Sequence, residues 1–119
     1  MAMRQEVPNE LHPSALRRDL DLSRERMARL LSVSSKTIER WEQRDALPLN
    51  ASTHVQILFS QIKEMRDLGL TIYTPAGFRL FLRSPMPAFG GRTALQLIEQ
   101  GQIEDVISEL AGDYEGLGF

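Results

Sequence analysis

Between Leu22 and Pro48 the chain reads LSRERMARLLSVSSKTIERWEQRDALP, and its polar side chains fall at helical spacing. Ser34, Ser35, Lys36, Thr37, Glu39, Arg40 and Arg44 would share the outer side of one short helix. Hydroxyls, an amine and guanidiniums in that order suit contact with nucleic acid. Ser and Thr bond base edges or phosphate, and Arg binds guanine O6 and N7 in bidentate fashion or holds a phosphate. In a helix lying in the major groove the first turn meets the bases, so Ser35, Lys36 and Thr37 are the expected readers. Arg40 is expected near bases and Arg44 on phosphate.

Other chemistries lack their residues. The nearest carboxylate pair late in the chain, Glu104 and Asp105, is adjacent in sequence and so points apart rather than toward one substrate. Gly90-Gly91 is too short to cradle a phosphate. There is no cysteine, and His12 and His54 stand far apart without a carboxylate cluster. No catalytic residue, metal or cofactor is expected.

The elements that position the readers follow from apolar spacing. Ser23 caps a helix that buries Met27, Ala28 and Leu31 and turns Arg24, Glu25, Arg26 and Arg29 outward. Ser34 caps a second helix with Ile38 and Trp41 on its buried side. The three or four residues between them, with Val33 as a plug and Ala28 at the close approach, make a helix-turn-helix. A charged helical hairpin can also be a solvated surface, but the Val-Ser turn followed by Thr-Ile-x-x-Trp-Glu is more specific than amphipathicity.

Composition is consistent with this. At 119 residues, 42% hydrophobic, the chain can bury a core as one compact domain or two small packed pieces. Its net charge of −2 excludes a nonspecific nucleic-acid coat. The charge is uneven: residues 1–50 carry nine Lys or Arg against eight acids, and residues 51–119 five against eight. A nearly neutral helix-turn-helix half is expected to bind DNA as a homodimer, whose second copy adds phosphate contacts. No apolar run approaches the roughly 20 residues of a membrane span, and MAMRQEVPNE lacks the apolar centre of a signal peptide. A cytoplasmic location is the expectation.

The rest of the chain reads as short helices. Met1 to Asn9 is polar, interrupted by Pro8, and a first helix from Pro13 carries Leu16 and Leu20 beside solvated basic residues. The reading helix stops near Arg44 and Asp45, the latter in a left-handed end conformation, with Pro48 in the following loop. Ser52 caps a long helix through Leu68, with Val55, Leu58, Phe59, Ile62 and Met65 forming a stripe for the core or a dimer seam and Gly69 just past its end. Thr74-Pro75 opens a helix carrying Phe78, Phe81 and Leu82, which ends at Ser84-Pro85. The loop SPMPAFGG is stiff at its prolines and permissive at its glycines, and is expected to expose Met86 and Phe89 for binding. Thr93 to Gln96 has capping-box form, Gly101 stops that helix, and a last helix carries Ile103, Val106, Ile107 and Leu110. AGDYEGLGF then reads as a flexible tail with apolar Tyr114, Leu117 and Phe119.

Val-Ser-x-x-Thr-Ile-x-Arg at 33–40, Leu47 followed by Ser52, and FLRSPMPAFGGRTALQLIEQG together resemble the MbcA/ParS/Xre antitoxins over residues 22–116. Leu82, Pro85, Gly90-Gly91, Thr93, Leu95, Leu97, Gly101, Val106 and Leu110 stand in that family's order. The resemblance implies an all-α protein, with a helix-turn-helix DNA-binding region at 1–68 and a helical toxin-binding region at 69–119. It further implies inhibition of a RES-domain, NAD-degrading toxin and repression of the chain's own operon. Pro85, Phe89, Gly90, Gly91, Arg92, Thr93, Tyr114, Leu117 and Phe119 would then face the toxin, with Arg92 a polar anchor. Some positions depart from the family pattern: Phe81 stands for a usual tryptophan, Met86 for asparagine, Ala94 for proline, and Ser32 for a turn glycine. A weaker likeness to MerR regulators, in Thr37–Pro48 and RDLGL at 66–70, suggests a stand-alone dimeric regulator instead. Prolines 75, 85 and 87 cut up the long dimerisation helix that such a regulator needs.

Overall fold

A computed structural model describes residues 12–46 and 50–116. Helices α1 (Pro13–Leu20), α2 (Arg24–Leu31) and α3 (Ser35–Arg44) precede a long α4 (Thr53–Ile72). There follow α5 (Pro75–Arg83), one 3-10 turn (Pro87–Phe89), α6 (Ala94–Glu99) and α7 (Ile103–Gly116). The protein is all-α, with no strand among the described residues.

Hydroxyl caps begin most of these helices. Ser23, Ser34, Ser52 and Thr74 each accept from the backbone N–H three residues on, and Thr93 with Gln96 forms a reciprocal capping box. The first three helices all end the same way. Asp21, Ser32 and Asp45 take left-handed conformations, and the next residue's N–H reaches back to close the last turn, as in Val33 to the Ala28 carbonyl. Ser32, standing where a glycine is usual, therefore carries φ +57° and keeps the sharp turn at a conformational cost.

The long helix α4 is the spine, packing against α1, α2, α5 and α7, with α7 laid along it. The predicted inward residues lie in one hydrophobic cluster that runs from Leu16 to Leu110; Leu58 and Ile107 are only partly buried at its edge. Two expectations about glycine are corrected. Gly69 does not end α4, which continues to Ile72. It is the point where the α4 backbone meets the Phe78 ring: a Cβ there would stand 2.2 Å from Phe78 Cε1. Likewise Gly112 does not open a flexible tail, because α7 runs through it to Gly116 and carries Tyr114 on the helix. Leu117, Phe119, Leu47 and Pro48 lie outside the described residues, as does everything before His12.

Gly69→Ala should destabilise the fold by roughly 1–3 kcal/mol through overpacking against Phe78, read as a lower urea midpoint. Ser32→Gly should stabilise the fold by about 0.5–1 kcal/mol, read as a higher midpoint, because it relieves the left-handed strain by more than it adds unfolded-state freedom.

Candidate functional site

Helix α3 has an anchored edge and an open one. On the anchored edge lies Glu42, whose side chain is only 5% exposed. It accepts from Arg17 through both oxygens, Nε to Oε2 at 2.5 Å and Nη2 to Oε1 at 3.0 Å, and from Arg24 Nε at 3.0 Å. Arg17 also donates to the Leu22 carbonyl at 3.0 Å. One carboxylate thus ties α1, α2 and α3 together in a bidentate, charge-assisted arrangement. Burial raises the Glu42 pKa, but the two guanidiniums outweigh it and hold the carboxyl below its ordinary range. The hydrogen bond to Glu42 in turn raises Arg17. At the far end of α3, Asp45 accepts from Ser14 Oγ at 2.7 Å and pairs with His12 Nδ1 at 2.9 Å. These bonds lower the Asp45 pKa.

The sequence reading makes Arg17 a solvated base of the first helix and turns Arg24 and Arg26 outward. Arg24 does stay exposed, but it is spent on Glu42 together with half-buried Arg17, and half-buried Arg26 reaches Glu99 of α6 through Nε at 2.5 Å. Sequence reasoning missed Glu42 as an anchor. The available signal was its place one turn after buried Ile38 and beside buried Trp41, where a carboxylate needs a partner.

The open edge carries the predicted readers. Ser34 Oγ accepts from the Thr37 N–H and lies 2.9 Å from Thr37 Oγ1, which accepts from Arg40 Nη2 at 3.3 Å. Ser34, Lys36, Arg40 and Arg44 are exposed, and Ser35, Thr37 and Glu39 are half-buried. Lys36 and Glu39 approach only to 3.9 Å, a weak surface pair. Arg40, Arg44, Trp41 and Asn50 line one shallow cleft. Arg40 and Arg44 have no carboxylate within salt-bridge distance among the described residues. The arrangement offers two unneutralised guanidiniums on a rigid helix, a suitable grip for phosphate or a base edge.

The second predicted surface, the loop after α5, is more rigid than expected. The Met86 N–H donates to the Arg92 carbonyl and the Gly91 N–H to the Met86 carbonyl, with Gly90 and Gly91 at φ +65° and +84°. Phe89 does not stand out of this loop. It is 3% exposed and meets Phe81 edge-on at 6.3 Å, which is itself stacked on Tyr73 and Phe78. Phe81, the departure from tryptophan, is therefore the centre of an aromatic cluster beneath the loop. Met86 is half-buried against the same core. Arg92 faces inward as a clamp, donating to the Phe89 carbonyl at 3.0 Å and to Gln100 and Gln102 at 2.5 and 2.8 Å. The exposed surface is formed by Pro85, Pro87, Ala88, Gly90 and Gly91. Thr93 is occupied with the α6 cap, and Tyr114 lies on α7 beside a hollow lined by Lys63, Asp67 and Thr71.

No family model and no curated protein matches the sequence. Its fold does have a solved counterpart. The chain superposes on a chain of the crystal structure of the M.tuberculosis MbcT-MbcA toxin-antitoxin complex with a TM-score of 0.69. The match has 18% identity and covers 88% of this chain and 92% of that one. The fold implied by the resemblance at residues 33–40 and 81–101 is thus the fold observed. At that identity the likeness is one of fold. No described helix is long and apolar enough to cross a membrane.

Because Glu42 is held below its ordinary carboxylate value near 4.5, its contribution to stability is complete above that value and is lost as pH falls through the lower folded-state value. Glu42→Gln should flatten the acid limb of a urea-midpoint-against-pH curve. Glu42→Ala should cost roughly 1.5–3 kcal/mol at neutral pH.

Proposed function

We propose that this chain is a non-catalytic antitoxin that silences a RES-domain, NAD-degrading toxin and represses its own operon as a DNA-bound homodimer. Residues 1–68 serve the operator and 69–119 the toxin. The observation that carries the reading is the fold match to a chain of a toxin-antitoxin complex, which covers 88% of this chain. The open edge of α3 supports the DNA half, since Arg40 and Arg44 are exposed and without a carboxylate partner among the described residues, while Arg17, Arg24 and Arg26 are spent on carboxylates. The rigid rim at Pro85, Gly90 and Gly91 supports the toxin half. A preordered loop loses little entropy on binding. Phe89 and Arg92 act from beneath by holding that rim, and Thr93 by starting α6; Tyr114 would contribute from α7.

Co-expression with the product of the adjoining gene tests the toxin half. A stable complex in which NADase activity is suppressed is the expected result. No complex and no relief of toxicity would reject it, and sequence-specific DNA binding without a complex would indicate a stand-alone regulator. On the DNA half, Arg40→Ala should cost about 1–3 kcal/mol and blur sequence preference, whereas Arg44→Ala should weaken all sequences alike and lower the salt slope by about one. Fluorescence anisotropy over a salt series reads both, and negligible losses at both positions would move the interface elsewhere.

A further inference from the structure

Among the described residues two large apolar side chains stand in solvent, Ile57 at 54% and Leu80 at 68% exposure. Their surroundings differ. Ile57 is a ridge between two hollows on the outer face of α4. One has an apolar floor of Leu30, Leu58, Ile98 and Ile103 with His54 and Glu99 also lining it, and the other is lined by Thr53, Ser60 and Glu64. None of the proposed DNA-reading residues and none of the loop residues 85–93 lines either hollow. This is a third face, separate from both proposed sites.

We infer that this face is where two copies of the chain associate, α4 against α4, antiparallel about a two-fold axis at Ile57. The inference deepens the dimeric part of the proposed function by assigning it a surface. Self-pairing requires that the patch be complementary to itself. In an antiparallel crossing centred on residue 57, each residue faces the one equally far on the other side. Gln61 then meets Thr53, Ser60 meets His54, and Ile57 meets its own copy. Along α4 itself no like charges oppose each other within two turns of the axis, and Glu99, which lines the hollow from α6, is neutralised by Arg26. Glu64, exposed and seven residues beyond the axis, lies about 10 Å along the helix. There it meets the partner's α4 start, where Ser52 caps the free N–H groups. A carboxylate against a helix N-terminus is the favourable pairing with the helix dipole. Each Ile57 ridge would drop beside the other, into the hollow floored by Leu30, Leu58 and Ile98. The seven reading residues stay uncovered, as a DNA-binding dimer needs.

Sedimentation equilibrium on the full chain tests this. The wild type is expected to be a dimer, and Ile57→Glu to raise its dissociation constant more than about tenfold, with helical circular dichroism unchanged. Leu80→Glu is expected to leave the dimer intact, and Glu64→Lys to weaken it about two- to fivefold. The chain has no cysteine, so Ile57→Cys gives a second readout, a disulfide-linked dimer under mild oxidation that Leu80→Cys does not form. A monomeric wild type overturns the inference. So does a dimer indifferent to Ile57→Glu, or one that crosslinks through position 80 but not 57. Loss of toxin or DNA binding by a protein whose dimer still depends on Ile57 would strike only the proposed function.

Discussion

The structure depends on one carboxylate. Glu42 draws Arg17 from α1 and Arg24 from α2 onto the inner edge of α3, and among the described residues no other group touches all three helices with charge-assisted bonds. Paired this way, a nearly buried charge is satisfied on both oxygens, whereas a single missing guanidinium would leave it costly. The consequence reaches the outer edge. Because α3 is held from behind, its exposed arginines project from a fixed helix, and because Arg17 and Arg24 are spent on Glu42, Arg40 and Arg44 are left as the guanidiniums of α3 itself that have no carboxylate partner among the described residues.

A second constraint organises the other half. α4 must approach α5 closely enough for the Phe78 ring to lie on bare backbone at Gly69. That approach seats Phe78 beside Phe81, and Phe81 in turn supports Tyr73 and Phe89. The loop after α5 is therefore built on a packed aromatic floor and closed above by backbone hydrogen bonds and the Arg92 clamp. Burial also raises the Tyr73 hydroxyl pKa, with Asp113 and Glu109 of α7 adding to it. The two halves are joined by further arginines. Arg26 reaches Glu99, and Arg83 donates to the carbonyls of Leu20 and Asp21 at the end of α1, while Arg66 ties α4 to Asp19 of α1 within the first half. Cations at a helix C-terminus satisfy its orphan carbonyls and its dipole together.

Local chemistry was legible in the sequence wherever it needed only neighbours. Each hydroxyl cap, the proline openings at Pro13 and Pro75, the Thr93–Gln96 capping box and the left-handed Asp45 depend on residues within one turn, and all stand where the residue types require. Apolar spacing likewise marked the buried faces, since a helix with one greasy stripe has one way to hide it. What depended on distant partners was not legible. Gly69 and Gly112 look like stops, yet packing between α4, α5 and α7 carries both helices through them. Phe89 and Arg92 look like contact residues, yet a ring 8 positions away and two glutamines across a turn draw them inward. Helix starts and their caps were thus determined by the sequence itself, because hydrogen bonding and backbone sterics act over a few residues. Which charges are spent and which rings are buried was decided by tertiary structure, because those outcomes depend on what the folded chain brings alongside.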